Sequence, residues 1–246
     1  MAHVKLRGDG VDLDEPWLVE GMPGVGLVGK IATDHLVEAF DMEYYASVHC
    51  DGIPRIAVYG DGDRSVRPPV RIYADGERDL LALQSDVPVS ADAAHEFAAC
   101  VTSWIADNGV TPLYLSGRPA EKDGVPSLFG VGTGDGGALL DDEGIETPRE
   151  NGAVAGPTGA LVAQAAEVDL DSVALVVESD PQFPDPEAAR VLIDHGIGPL
   201  AGVDPSVDDL VDRAEEIRQQ KEELARRMQE AGEAESSQAQ PLRMFQ

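Results

Sequence analysis

Residues 21–30 read GMPGVGLVGK. The apolar run PWLVEGM leads into this stretch, and an apolar-periodic segment leaves it up to about Phe40. A strand that turns through glycines into a helix is the opening unit of an α/β domain. Two phosphate-binding patterns overlap in it. Gly24, Gly26 and Gly29 fit the dinucleotide fingerprint G-x-G-x-x-G, and Gly24 through Lys30 fit G-x-x-x-x-G-K, the phosphate loop up to its last residue. A phosphate loop needs backbone amides at a helix N-terminus, a lysine for the outer phosphates and a following Ser or Thr hydroxyl for magnesium. Here Ile31 follows Lys30, so the metal-ligand position has no oxygen. The dinucleotide pattern has Asp51 near the place of a ribose-binding acid, yet Pro23 stands directly ahead of the turn, and no positioned His or Lys marks a substrate site downstream. On the structural reading, Gly24 permits a tight strand-to-helix turn, while Gly26 and Gly29 let the helix approach the sheet or another subunit closely.

Outward from the turn, β-rich and helical segments alternate. EYYASVHC reads as a strand, and RIAVYGD, VRIYADG and DLLALQSD are three strand-like runs separated by Gly/Asp turns, which suggest a meander or an antiparallel extension. Residues 90–108 carry Ala94, Phe97, Ala98, Val101, Trp104 and Ile105 at helical spacing, with Gly109 as the stop. TPLYLSG and SLFGVGTG read as strands, GAVAGPTGALVAQAAEV as an Ala-rich helix, SVALVVES as a buried strand, and a further helix starts near Pro186. This order predicts an α/β fold with a largely parallel sheet and crossover connections. The glycine-rich segment 130–137 could be a ligand loop, a mobile surface loop or a subunit contact.

Residues 206–233 lack proline and hold no glycine before Gly232. Leu210, Ala214, Ile217, Lys221, Leu224 and Met228 recur at steps of three and four. They predict a helix that either forms a short coiled coil or lies on the core. The sequence thus divides into a domain over 1–205, a helix over 206–233 and a polar, flexible tail over 234–246.

Forty-six acidic residues against 18 Lys and Arg leave a formal charge of −28, spread over almost every segment. Such a surface repels itself in dilute buffer, whereas at molar salt the screening length falls to roughly 3 Å. A salt-rich cytoplasm is the expected setting, with a basic partner as the other reading. No basic stripe could neutralise phosphates, so nucleic acid is not an expected ligand. The N-terminus MAHVKLRGDG has no signal-peptide core, and no run of about 18 apolar residues occurs, so a soluble cytoplasmic protein without a membrane span is expected. Cys50 and Cys100 read as buried hydrophobes. The five histidines lack paired spacing, so neither metal nor cofactor is expected. Ser116-Gly117 and Ser179-Asp180 follow strands, but G-x-S-x-G is absent and no base is assignable.

Taken together, VEGMPGVGLVGK, AVAGPTGALV, the acidic helix and the ending PLRMFQ resemble the archaeal, and by its acidity haloarchaeal, branch of the proteasome assembly chaperone 2 family. The resemblance implies a nucleoside-phosphorylase-like three-layer sandwich with a mixed, largely parallel sheet, plus a C-terminal helix and flexible tail. It also implies a homo-oligomeric, non-enzymatic chaperone or adaptor without cofactors that binds proteasome α-subunits or the core particle. The docking motif, a hydrophobic residue, Tyr and any residue, maps onto Met244, Phe245 and Gln246, with Phe in place of Tyr. The alternative is an enzyme, either an ATP-dependent carboxylate-amine ligase or a nucleoside-processing enzyme, that uses Gly24, Gly26, Gly29 and Lys30 as an anion site.

Overall fold

The computed structural model describes residues 2–7, 10–51, 53–60, 64–120, 124–182, 184–210 and 212. In chain order the strands are β1 (His3–Leu6), β2 (Trp17–Gly21), β3 (Glu43–His49), β4 (Val70–Asp75), β5 (Leu80–Ser85), β6 (Thr111–Pro119), β7 (Leu128–Thr133) and β8 (Ser172–Ser179). The helices are α1 (Val28–Ala39), α2 (Ala91–Asp107), α3 (Gly136–Asp142), α4 (Gly156–Glu167), α5 (Pro186–Leu192) and α6 (Gly198–Ala201), with a 3-10 turn over Val25–Leu27 and a π turn over Ile193–Ile197.

One eight-stranded sheet runs in the order β1-β3-β4-β5-β2-β6-β8-β7. Its centre, β5-β2-β6-β8, is parallel, while β4, β3 and β1 on one side and β7 on the other add antiparallel pairs. Strands β2, β3, β5, β6 and β8 therefore share one direction. The fold is α/β with a mixed, largely parallel sheet, as expected; of the runs expected to form an antiparallel extension, VRIYADG and DLLALQSD pair as β4 and β5, and β3 rather than RIAVYGD lies on the other side of β4.

Alternation along the strands sorts the core into two layers. Val19, Leu80, Leu113, Leu115, Val173 and Leu175 face α1 and α5, whereas Leu18, Leu81, Tyr114 and Ala174 face α2 and α4. Strands covered on both faces are shielded along their length, and β4 and β5 are buried at every position, Arg71, Asp75, Gln84 and Ser85 included. Helix α2 buries Ala93, Phe97, Ala98, Val101 and Ile105, the stripe its sequence spacing predicts, and Gly109 ends it at φ +64°. At α5, Pro186 occupies the first turn, and the Asp185 carboxylate accepts the Ala188 N–H at 3.1 Å as N-cap.

Several expectations change. Among its described residues RIAVYGD forms no strand: Val58 makes an isolated backbone bridge with Arg67, with N–H···O of 2.9 Å in both directions. Pro54, Pro68 and Pro69 flank it and cannot donate to a ladder. Segment 130–137 is no free loop, because it ends β7 and begins α3. A β-carbon on Gly132 would sit 2.6 Å from the Gly136 carbonyl carbon, so the glycine there serves close packing. Cys50 and Cys100 are half-buried rather than fully buried. Residues 208–210 and 212 are helical, and Leu210 is fully buried on the α1 and α5 side. The later heptad positions Ala214, Ile217, Lys221, Leu224 and Met228 lie outside the described residues, as does the tail.

Candidate functional site

In a doubly wound sheet the ligand crevice opens beyond the carboxyl ends of the strands, where successive crossovers depart to opposite sides. That point lies between β2 and β6. From β2 the chain departs through α1 on one face, and into β8 it arrives through α4 on the other. The glycine turn and the N-termini of α1 and α4 meet there.

The crevice holds a carboxylate of the chain itself. Glu20, the penultimate residue of β2, lies on the same face as Leu18 and is fully buried. Its Oε1 accepts the Met22 N–H at 3.1 Å and the Thr158 hydroxyl at 3.0 Å, and its Oε2 accepts the Leu115 N–H at 3.3 Å. One side chain thus ties together the exit of β2, the middle of β6 and the first turn of α4. Burial drives its carboxyl up from 4.5 to about 7, against the hydrogen bonds from Thr158, Leu115 and Met22, which favour the ionised form. Burial, and then Glu20 itself, push the phenol of neighbouring Tyr114 upward as well. Donors of the kind that would greet a ligand anion in a nucleotide site are here engaged by Glu20.

The glycine turn closes the same place from above. Gly26 has φ +62° and Leu27 φ +52°, so the chain doubles back before α1 starts. A β-carbon on Gly26 would overlap the Ser179 hydroxyl, and one on Gly117 would overlap the Val25 carbonyl. The turn therefore lies against the ends of β6 and β8. Asp185 fastens it: the Asp185 N–H donates to the Gly26 carbonyl at 2.8 Å, and its carboxylate accepts the Ser179 hydroxyl at 3.2 Å and the Asp180 N–H at 2.9 Å. Gly29 passes close to β6 and β2, since a β-carbon there would meet the Leu115 side chain at 3.2 Å and the Glu20 carbonyl at 3.5 Å. A β-carbon on Gly24 would have nothing nearer than the Met22 carbonyl at 4.0 Å.

Lys30 is committed elsewhere. Its ammonium lies 2.9 Å from Asp34 and 3.3 Å from Asp86, and Asp86 in turn pairs with Arg71 at 2.6 Å. Gln84 donates to Asp34 at 2.8 Å, and Arg71 reaches the Tyr73 hydroxyl at 3.1 Å and the Pro68 carbonyl at 2.7 Å. This network ties α1 to the ends of β4 and β5. Asp51 follows β3, which is separated from β2 by β4 and β5, so the acid is far from the place a ribose would occupy beside β2. Ser179 is fully buried and serves the turn. Among the described residues, no group of three or more His, Cys, Asp or Glu is placed to hold a metal ion, and no helix is long and apolar enough to cross a membrane.

The structure thus gathers Gly26, Gly29 and their strand neighbours at the switch point, turns Lys30 away from it, and leaves Met244, Phe245 and Gln246 outside the described residues. Sequence reading missed Glu20, Thr158 and Asp185. The signal for Glu20 was a single carboxylate inside the apolar strand WLVEG, beside the turn.

The switch-point crevice of this α/β fold is thus filled by the chain's own Glu20 carboxylate and closed over by its own glycine turn. The chain belongs to the PAC2 family, whose model matches residues 18–225. It is similar to Pyrococcus furiosus PbaA, described as an archaeal homolog of proteasome-assembly chaperone, at 25% identity and a TM-score of 0.77, covering 96% of this chain and 97% of that one. It shares its fold with Pyrococcus furiosus PbaB, described as an archaeal proteasome activator, at 21% identity and a TM-score of 0.73, over 93% and 98% of the two chains. The uncharacterized protein MJ0106 of Methanocaldococcus jannaschii is 25% identical over 217 residues, 87% of either chain.

Proposed function

We propose that this protein is a non-enzymatic, homo-oligomeric chaperone or adaptor of the proteasome, and that it docks on the α-ring through Met244, Phe245 and Gln246. Membership of the PAC2 family over 18–225, with the likeness to PbaA along nearly the whole chain, is the observation that carries this reading. The engaged carboxylate at the switch point supports a scaffold role as well, because the glycine turn spends its geometry on packing.

The tail mechanism is carboxylate capture combined with an aromatic anchor. Phe245 gives the ring of the usual Tyr without its hydroxyl, a loss of about 0.5 to 1.5 kcal/mol per tail. Ordering the tail on docking costs further affinity. Several tails on one oligomer offset both, since avidity raises binding by about 10² to 10⁴ where the geometry permits. A helix expected from the sequence over 206–233 would project or position the tail, and Leu210 near its start is buried on the domain.

The test is co-sedimentation of the full chain with its own proteasome α-subunits in about 1 M salt, with and without residues 244–246. Loss of co-sedimentation on truncation supports tail docking. Unchanged co-sedimentation rejects the tail, and no association by either form rejects the proteasome assignment.

A further inference from the structure

Beyond the last sheet-covering helix the chain is laid back onto the domain. Gly202, at φ +66°, ends α6, and the Val203 N–H donates to the Gly198 carbonyl at 3.0 Å. From there burial alternates. Val203 and Pro205 are buried and Val207 is half-buried, whereas Asp204, Ser206 and Asp208 are exposed. That is the period of an extended chain resting on a surface. Val203, Val207 and Leu210 all join the apolar layer on the α1 and α5 side of the sheet, and Leu210 is fully buried.

A buried histidine of α1 reaches this segment. His35 lies one turn after Ile31 and is only 4% exposed. Its Nε2 is 2.7 Å from the Ser206 carbonyl oxygen, 171 residues further along the chain. A carbonyl can only accept, so Nε2 carries the proton and donates. Apolar contact is non-directional and holds the segment down without fixing its place. A slip of two residues would still leave an apolar side chain at most of the inward positions that Val203, Pro205 and Val207 occupy. A short hydrogen bond to one carbonyl excludes such a slip. Helix α1 is a firm base for it, because Lys30 and Asp34 tie the helix to Asp86 and Gln84 at the end of β5.

We propose that His35 is a latch: through the Ser206 carbonyl it sets the register of residues 203–210 on the domain, and so fixes the point from which the chain continues toward its C-terminal residues. It is a positioning residue for the tail and touches no partner itself. This role rests on the tail docking of the proposed function, but the latch is measurable without any proteasome.

The experiment is amide hydrogen exchange of the full chain alone in about 1 M KCl, read at Leu210, whose N–H is bonded to the Val207 carbonyl at 3.0 Å, and at α2 as reference. His35→Phe keeps a ring and removes the donor. Leu210 exchange should quicken about 2- to 13-fold, the factor equivalent to 0.5 to 1.5 kcal/mol for one hydrogen bond, with α2 unchanged. His35→Gln places an amide N–H near the site of Nε2 and should restore the original rate. Unchanged exchange at Leu210, or equal acceleration at Leu210 and α2, would overturn the latch. A second measurement needs no variant: in the unmodified protein the His35 Nε2–H should give its own NMR resonance with a cross-peak to the Ser206–Val207 backbone, and a ring protonated only at Nδ1 would overturn it as well. For the positioning role, His35→Phe should weaken binding to proteasome core particles and His35→Gln should not. Equal binding by His35→Phe and the unmodified chain would reject that role, as would an unmodified chain that does not bind. Deleting residues 244–246 should leave Leu210 exchange intact, which keeps failure of tail docking apart from failure of the latch.

Discussion

Replacing Glu20 by glutamine should erase a defined part of the protein's pH-dependent stability. In the fold this carboxyl titrates at about 7, against 4.5 for the exposed group. Between those values the native state holds a proton that the unfolded chain has released, so stability falls as pH rises through this window. Below 4.5 the group contributes no pH dependence. Above 7 the full penalty is present, on the order of 3 kcal/mol at 1.36 kcal/mol per tenfold. The three donors, the amides of Met22 and Leu115 and the Thr158 hydroxyl, already reduce that penalty. In Glu20→Gln the amide oxygen keeps the Met22 and Thr158 bonds, but the amide nitrogen faces the Leu115 N–H, donor against donor, which costs about 1 to 3 kcal/mol. The variant should therefore be less stable than the unmodified protein at pH 5, by about 1 to 3 kcal/mol, and equal or more stable at pH 8. Urea midpoints at pH 5, 6, 7 and 8 in about 1 M KCl test this, because that salt suppresses the surface repulsion shared by both proteins but leaves a buried group unscreened. Parallel stability profiles for the two proteins would rule out a proton held on Glu20 in the fold.

Other substitutions test the glycine turn and its fastening. Gly26→Ala places a methyl against the Ser179 hydroxyl at φ +62° and should cost about 2 to 4 kcal/mol in urea denaturation. Gly24→Ala, at φ −145° with its nearest neighbour 4.0 Å away, should stay within about 0.5 kcal/mol of the unmodified protein. Equal effects at the two positions would contradict a turn shaped by packing. Asp185→Ala removes the α5 N-cap and frees the Ser179 hydroxyl and the Asp180 amide, so thermal unfolding should show a loss of about 1 to 3 kcal/mol. A melting temperature unmoved by this change would show that the cap does not hold the turn.

The fold class was legible because it rests on long-period patterns. The Trp17–Gly21 strand, the glycine turn and the stripe of α2 each announce themselves locally, and so does the alternation of strands with helices. What escaped depends on contacts between distant segments. The short β1 forms only by pairing with β3, and α3 begins at Gly136 and Gly137, which read as a loop. Segment 55–61 carries strand-like residues, but the prolines that flank it, Pro54, Pro68 and Pro69, cannot donate to a ladder. The same distinction applies to the site. The glycines alone matched a phosphate cradle, and only the fold reveals that Thr158, 138 residues away, meets Glu20 beneath them. Lys30 completed the motif in sequence, whereas Asp86, 56 residues on, engages it in space.

Docking through the last three residues is open to a direct titration of labelled protein onto assembled proteasome core particles. Phe245→Tyr restores the missing hydroxyl and should tighten binding per tail by about 2- to 13-fold, the equivalent of 0.5 to 1.5 kcal/mol. Phe245→Ala should weaken it, and an added residue after Gln246, which moves the terminal carboxylate, should weaken it too. Three variants that bind as tightly as the unmodified chain, or an unmodified chain that does not bind, would exclude docking by the tail.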